Sequence, residues 1–244
     1  MSTEEEILQL ITQAEVEDPI EYVNGILRPV MRDKLDRCIL DCDHCPRRKN
    51  EEAIKTLTAG DDMASVMFIC EGSETPPADG DGVSVPMQDP DEWKMMLKLI
   101  KAFNINKNEL FWINAVNCSI RMDLGNGEMQ YRPPNGAETK NCRGILDKAI
   151  KYMQPKLIFL LGNIPYSMFK PGRVVKADAG QMFDISGIPA IPTHAPRTLV
   201  DMERSGSVNL DMYKAEFCDD IYLGFKYLQD KELSDNILLT PLED

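Results

Sequence analysis

Four short apolar runs separated by helical patterns constrain this chain more than any other feature. "VMFIC" (66–70), "LFWINAV" (110–116), "LIFLLG" (157–162) and "IPAIPT" (188–193) each stop at polar or glycine-rich residues. Runs of this length suit strands buried on both faces of a parallel sheet. "DEWKMMLKLIKAF" (91–103) and "AETKNCRGILDKAIKYM" (137–153) carry apolar positions at helical spacing, and a last helix is expected over 210–228. Alternating strand and helix predict an α/β fold: a three-layer α/β/α domain on a central four-stranded parallel sheet. Ligands bind such sheets beyond the carboxyl ends of the strands. Those ends are Cys70-Glu71-Gly72, Asn114 to Cys118, Leu161-Gly162-Asn163 and Thr193-His194. A carboxylate, a carboxamide and an imidazole are thereby expected at one edge.

Helices are expected ahead of this sheet. Ile7, Leu8, Ile11 and Ala14 share a helical face, and Asp18-Pro19 can start a second helix through Tyr22, Ile26, Val30 and Leu35. The expected organisation is an N-terminal helical extension over 1–37, a main domain over 38–230 and an acidic tail over 231–244. "SETPPADGDG" (73–82) reads as a loop and "DLGNGE" (123–128) as a tight turn. A chain of 244 residues with 43% hydrophobic content can bury one sizeable core.

Composition narrows the setting. No apolar run approaches the roughly 20 residues a spanning helix needs, and "MSTEEEILQL" lacks the basic-then-apolar order of a signal peptide. A cytoplasmic protein with no membrane partner is expected. Cysteines there hold metal or do chemistry more often than they form disulfides, and their odd total of seven fits that. Forty acids against 27 bases give a net charge of −13. Phosphate binding draws on clustered Lys and Arg. Either the chain binds no DNA on its own, or a basic face is diluted by its acidic ends.

The cysteines are the chemical signal. Cys42-x2-Cys45 has metal-ligand spacing, and Cys118 and Cys142 fall at the second strand's end and in the following helix. One close pair with two dispersed thiolates suits an iron–sulfur cubane better than zinc, whose four-cysteine sites show two close pairs. Cys38-x3-Cys42-x2-Cys45 also fits the radical-SAM pattern, which needs only three thiolates. Against it, residues 20–37 read as a charged helix where a barrel strand should stand. Cys70 and Cys218 read as buried, unreactive thiols.

These motifs together resemble the uracil-DNA glycosylase superfamily, specifically its iron–sulfur-containing family 4 branch, over about residues 42 to 200. Cys42-Asp43-His44-Cys45 matches the first element and "VMFICEG" matches a strand ending in G-E-G. "INAVNC" supplies Asn114 and Cys118, while Arg132, Pro134, Glu138 and Cys142 keep the R-x-P-x3-E-x3-C spacing. "QPKLIFLLG" and "GIPAIPTHAP" complete the set, the latter delivering His194. The resemblance implies a 4Fe–4S cluster on Cys42, Cys45, Cys118 and Cys142, with Cys38 extra and His44 beside the cluster. Departures are concentrated at the base pocket. Ser73-Glu74 replaces a Pro-Gly turn, a stacking aromatic is missing from "DGDGVSVPM", and Ser119-Ile120-Arg121 replaces Arg-Pro-Pro.

The resemblance implies DNA as partner, DNA repair or DNA modification as setting, and hydrolysis of an N-glycosidic bond after the base is flipped out. It gives Glu71 to the sugar cation or to water. It gives Gly72, Ser73 and Asn114 to the base, and His194 to the base oxygen that gathers charge. Glu74 adds a second carboxylate, so a modified pyrimidine or nucleotide-like ligand is expected in place of uracil. The alternatives are a non-catalytic cluster-bearing module in a replication or DNA-modification assembly, and a radical-SAM enzyme.

Overall fold

A computed structural model of the chain describes residues 19–45, 54–72, 83–87, 89–101, 103, 105, 110–118, 121–123, 129–132 and 134–233. In chain order the elements are α1 (Pro19–Leu40), β1 (Lys55–Thr56), β2 (Ala59–Gly60), β3 (Val66–Gly72), β4 (Val83–Ser84), α2 (Pro90–Lys101) and β5 (Leu110–Val116). There follow β6 (Arg121–Asp123), β7 (Met129–Tyr131), α3 (Gly136–Met153), β8 (Leu157–Leu161), α4 (Asn163–Phe169), α5 (Val175–Asp178), β9 (Phe183–Ile185), β10 (Ile188–Thr193), α6 (Pro196–Arg204) and α7 (Leu210–Asp230). The expected helix over 3–15, the loop 73–82 and the turn 124–128 lie outside the described residues. None of the described helices is long and apolar enough to cross a membrane.

Among the described residues the central sheet has six strands, in the order β2-β5-β3-β8-β10-β9. It is mixed, which corrects the expected four-stranded parallel sheet. The four apolar runs form its parallel interior, β5-β3-β8-β10, while β2 and β9 add short antiparallel edges. The interior strands are apolar on both sides because helices cover both sheet faces. On one face Phe68, Trp112 and Phe159 pack with Met96 and Leu99 of α2, Leu199 of α6, and Phe217 and Phe225 of α7. On the other, Met67, Ile113 and Leu160 pack with Leu35 and Ile39 of α1 and with Leu146 and Ala149 of α3.

Two local features fix the layers. Gly224 brings α7 so near the sheet that a Cβ there would overlap Phe159 and come within 2.8 Å of Leu157. On the opposite face, Arg32 donates to Thr58 Oγ1 (3.1 Å), the Gly60 carbonyl (2.8 Å) and Asp62 (2.8 Å), while Asp36 accepts from the Thr58 backbone N–H (2.9 Å). These bonds pin α1 to the β1–β2 segment. The helix runs unbroken past residue 37 to Leu40, burying Leu35 and Ile39 and leaving Val30 exposed.

The order of the parallel strands places the topological switch between β3 and β8. From β3 the chain crosses to β5 on one side, and from β8 to β10 on the other. The crevice of an open α/β sheet lies there.

Candidate functional site

Four of the seven cysteines meet at one place. Cys42, Cys45, Cys118 and Cys142 line a single small cavity, with Ile39, His44, Lys55, Asn117, Asn141 and Ile145 completing its wall. Three different devices deliver them. Cys42 and Cys45 follow the pinned end of α1. Cys118 leaves β5, where it bridges to Lys55, and the Thr56 N–H donates to the Asn117 carbonyl at 3.1 Å.

Cys142 is aimed by the start of α3. Asn135 caps that helix, accepting from the Ala137 and Glu138 N–H groups at 3.0 Å each, and Glu138 accepts in return from the Asn135 N–H at 2.8 Å. This reciprocal box satisfies donors the helix cannot satisfy itself. The buried Glu138 also takes a two-point bond from Arg132, 2.9 and 2.6 Å. The Arg132, Glu138 and Cys142 spacing is thus a brace: the salt bridge and cap hold the turn that carries the thiol inward.

Burial first, then the neighbouring Cys118, Cys42 and Cys45, pushes the Cys142 thiol up to about 12, against the Asn117 backbone N–H. Cys118 is raised by burial too, opposed chiefly by Lys55, whose Nζ lies 3.4 Å from its Sγ. Thiols so crowded cannot all ionise unless a cation joins them. Asn117 is 1% exposed, and neither its Oδ1 nor its Nδ2 has a hydrogen-bond partner among the described residues. A buried amide without partners is costly, and here it sits on the wall of the thiol cavity. The soft, four-thiol donor set and this amide fit an iron–sulfur group. No group of three or more His, Cys, Asp or Glu among the described residues is arranged to hold a single metal ion. Cys38 is not part of the cavity wall; its Sγ faces Lys148 Nζ at 3.7 Å. His44 Nδ1 lies 3.5 Å from Cys42 Sγ.

A second site opens at the switch point. Cys70, Glu71 and Gly72 from β3, Met87, Glu92 of α2, Leu161, Ala195, Pro196 and Arg197 of α6 line one pocket. Glu71 is set beneath Gly162, whose φ of 101° and ψ of 179° suit glycine. A Cβ at Gly162 would overlap the Glu71 carboxylate and approach Ala195 at 2.9 Å. The Ile164 N–H points at Glu71 Oε1 from 3.4 Å. Burial raises the Glu71 pKa, moderated by the Ile164 and Asn163 amides and by Arg197.

Glu92 was not anticipated from the sequence. Burial, followed by Asp89, Glu71 and Asp201, raises its pKa to about 8, against Arg204. The Arg197 guanidinium donates to its Oε1 from 3.3 Å, at the long end of hydrogen-bonding range, and lies 3.8 Å from Asp201. Shared between acids at such distances, this cation does not outweigh the desolvation.

Of the other expected site residues, Asn114 faces the α2 side of β5, directly opposite Cys70. It is 1% exposed, and both its amide atoms lack partners among the described residues. Ser73 lies outside the described residues. His194 is not on the pocket wall, although Ala195 and Pro196 are. Its Nε2 is 2.7 Å from Glu216 Oε2 and its ring packs on Tyr213, with centroids 4.4 Å apart. Beneath them Asp220 is buried; that burial, eased by Thr193 and reinforced by Glu216 and Asp219, raises its pKa to about 7.

A family model described as the uracil DNA glycosylase superfamily matches residues 58–221, well over half of the chain. The chain belongs to that superfamily. The matched span takes in Glu71, Asn114, Cys118, Cys142 and His194 of the uracil DNA glycosylase superfamily member, and begins after Cys42 and Cys45. Comparison with curated proteins gave no match.

Proposed function

We propose that this superfamily member hydrolyses the N-glycosidic bond of uracil or a modified pyrimidine in DNA, on a scaffold clamped by a 4Fe–4S cluster of the family 4 kind. The observation carrying this reading is the position of Glu71: a carboxylate at the sheet's topological switch, held under Gly162 and pointed at by the Ile164 N–H. A carboxylate so fixed suits activation of water or stabilisation of a cationic sugar. Asn114, buried with two donors and an acceptor unmet among the described residues, suits recognition of a pyrimidine edge. His194 is engaged by Glu216 through Nε2, so in this reading it donates to the base oxygen from Nδ1 only when both ring nitrogens carry a proton. Gly72 on the pocket wall, with Ser73 after it, is the proposed base-facing backbone.

Cys42, Cys45, Cys118 and Cys142 would hold the cluster, which in this reading supplies a cross-link between the end of α1, β5 and α3 and no part of the hydrolysis. Cys38 faces Lys148, away from the cavity wall, which favours the four-thiol arrangement over the three-thiol radical-SAM one. The engagement of His194 by Glu216 favours a second reading, a non-catalytic DNA-binding module in a replication or DNA-modification assembly.

Anaerobic purification with iron and sulfide counting tests the cluster. Base release from single-stranded oligonucleotides carrying uracil or 5-substituted pyrimidines tests the chemistry. The expected results are four irons per chain and base release that Glu71→Gln lowers about 10²–10⁴-fold. Tight oligonucleotide binding with no base released from any probe would reject hydrolysis in favour of the binding module.

A further inference from the structure

We infer that Lys55 and Asn117 donate hydrogen bonds to the sulfurs of the cluster and thereby raise its reduction potential. Resting on the cluster reading of the thiol cavity, this assigns roles to two residues that are not ligands. Lys55 comes from β1 and lies on the cavity wall, with its Nζ 3.4 Å from Cys118 Sγ. Its backbone is fixed opposite Cys118 by an antiparallel bridge, and the Thr56 N–H donates to the Asn117 carbonyl at 3.1 Å. The lysine therefore reaches the thiol from a strand tied to the exit of β5. From the other side, Asp36 of α1 holds the same segment by accepting from the Thr58 N–H and hydroxyl, at 2.9 and 2.8 Å. A lysine ammonium has several donors and no acceptor, so the contact with Cys118 leaves others for a neighbouring sulfur.

Asn117 lies on the same wall. It is 1% exposed, and its Nδ2 has no acceptor among the described residues. An amide donor buried without an acceptor is costly. Sulfur surrounds this one: Asn117 immediately precedes Cys118 in the chain, and its backbone N–H faces the Cys142 thiol. Ile39 and Ile145 make part of the wall apolar, and among the described residues no carboxylate lines it. The acceptors that the cavity would present to Nδ2 are therefore cysteine thiolate and inorganic sulfide.

Electrostatics set the direction of the effect. Thiolate ligands make the assembled group a net anion, and an electron taken up adds to that charge. The potential of such a group follows its net charge, the hydrogen bonds to its sulfurs and its exposure to solvent. A cation 3.4 Å from one ligand sulfur and an amide donor on the same wall both favour the electron-rich form. In the low dielectric of a buried site each contact is stronger than it would be in water. The two isoleucines act the other way, because an apolar wall disfavours a buried anion. Lys55 and Asn117 offset them.

Spectroscopy of the full-length chain, purified without oxygen, tests this. Dithionite with mediator dyes supplies the single electron that each cluster takes up, and the midpoint potential is read from visible absorbance. Resonance Raman of the iron–sulfur stretches in H2O and D2O reads the hydrogen bonds with no change of redox state, so it decides even where dithionite leaves the cluster oxidised. Lys55→Met keeps the length of the side chain and removes its donors; Asn117→Leu does the same for the amide. Each variant should retain its iron, shift the midpoint to more negative potential, and move the stretches to higher frequency with reduced D2O sensitivity. Lys55→Met should give the larger midpoint shift, because it removes a charge as well, and Lys55→Arg should return the midpoint towards the wild-type value. Unchanged midpoint and bands in both variants, with iron retained, would overturn the donor role and leave the cluster reading intact. Iron loss in Lys55→Met that Lys55→Arg does not repair would overturn it too, as the mark of a purely structural lysine. A wild type without iron would remove both the donor role and the cluster.

Discussion

The thiol cavity and the acid pocket set the same physical problem and answer it differently. Each crowds groups that would repel one another when ionised: Cys42, Cys45, Cys118 and Cys142 in one, Glu71 and Glu92 in the other. In the cavity the relief we propose is a cationic iron–sulfur group; in the pocket it is a proton. The cavity is braced by the Arg132–Glu138 pair and the Asn135 cap, so its walls are anchored from several elements. The pocket depends instead on the close seating of Glu71 under Gly162. A site that clamps needs fixed ligands, whereas a site that turns over needs protons able to leave. Asn117 and Cys118, just past the end of β5, lie on the cavity, whereas Asn114 within β5 faces the α2 side and is not among the residues lining the acid pocket.

The contrast predicts that the two regions can be broken separately. The largest effect belongs to the cavity. Cys142→Ser should abolish iron binding and visible absorbance and lower thermal stability sharply, while Cys38→Ser leaves all three unchanged. The reverse pattern would support the three-thiol alternative. Next comes Gly162→Ala, where the ψ near 180° with positive φ costs about 1–3 kcal/mol and the new methyl displaces Glu71. It should abolish base release and retain full iron content; loss of iron as well would show the regions to be coupled.

Gly224→Ala probes the scaffold beneath both. Its methyl would press Phe159 and Leu157 and cost about 1–3 kcal/mol by overpacking, seen in thermal or denaturant unfolding, with iron content and base release per folded molecule preserved. The smallest effect is electrostatic. Because the folded Glu92 pKa is raised to about 8 from an ordinary value of about 4.3, the folded chain holds a proton between those values that the unfolded chain releases. Its stabilising contribution is full at acidic pH and is lost as pH rises through about 8. Glu92→Gln should flatten that part of the unfolding-temperature profile.

What could be read from the residues follows from burial. The four interior strands were legible because helices on both faces force them to be apolar throughout. The edge strands Ala59–Gly60 and Phe183–Ile185 were not, being two and three residues long and lacking such a demand. The cysteines were legible because their side chains are chemically distinctive wherever they fall, and Glu71 because it ends a strand. Glu92 was hidden: an acid in a helix's first turn is ordinary on electrostatic grounds, and only the packing of α6 across it leaves it half-buried. The partnership of His194 with Glu216 was hidden for a related reason, since it depends on how α7 lies over β10.

Both tryptophans of the chain, Trp93 beside Glu92 and Trp112 on β5, meet edge to face with ring centroids 5.6 Å apart. Tryptophan emission from this protein therefore originates at a single locality, the seam between α2 and the sheet. Any movement of that helix on ligand entry should alter the indole signal, giving an intrinsic optical gauge of occupancy that needs no added dye.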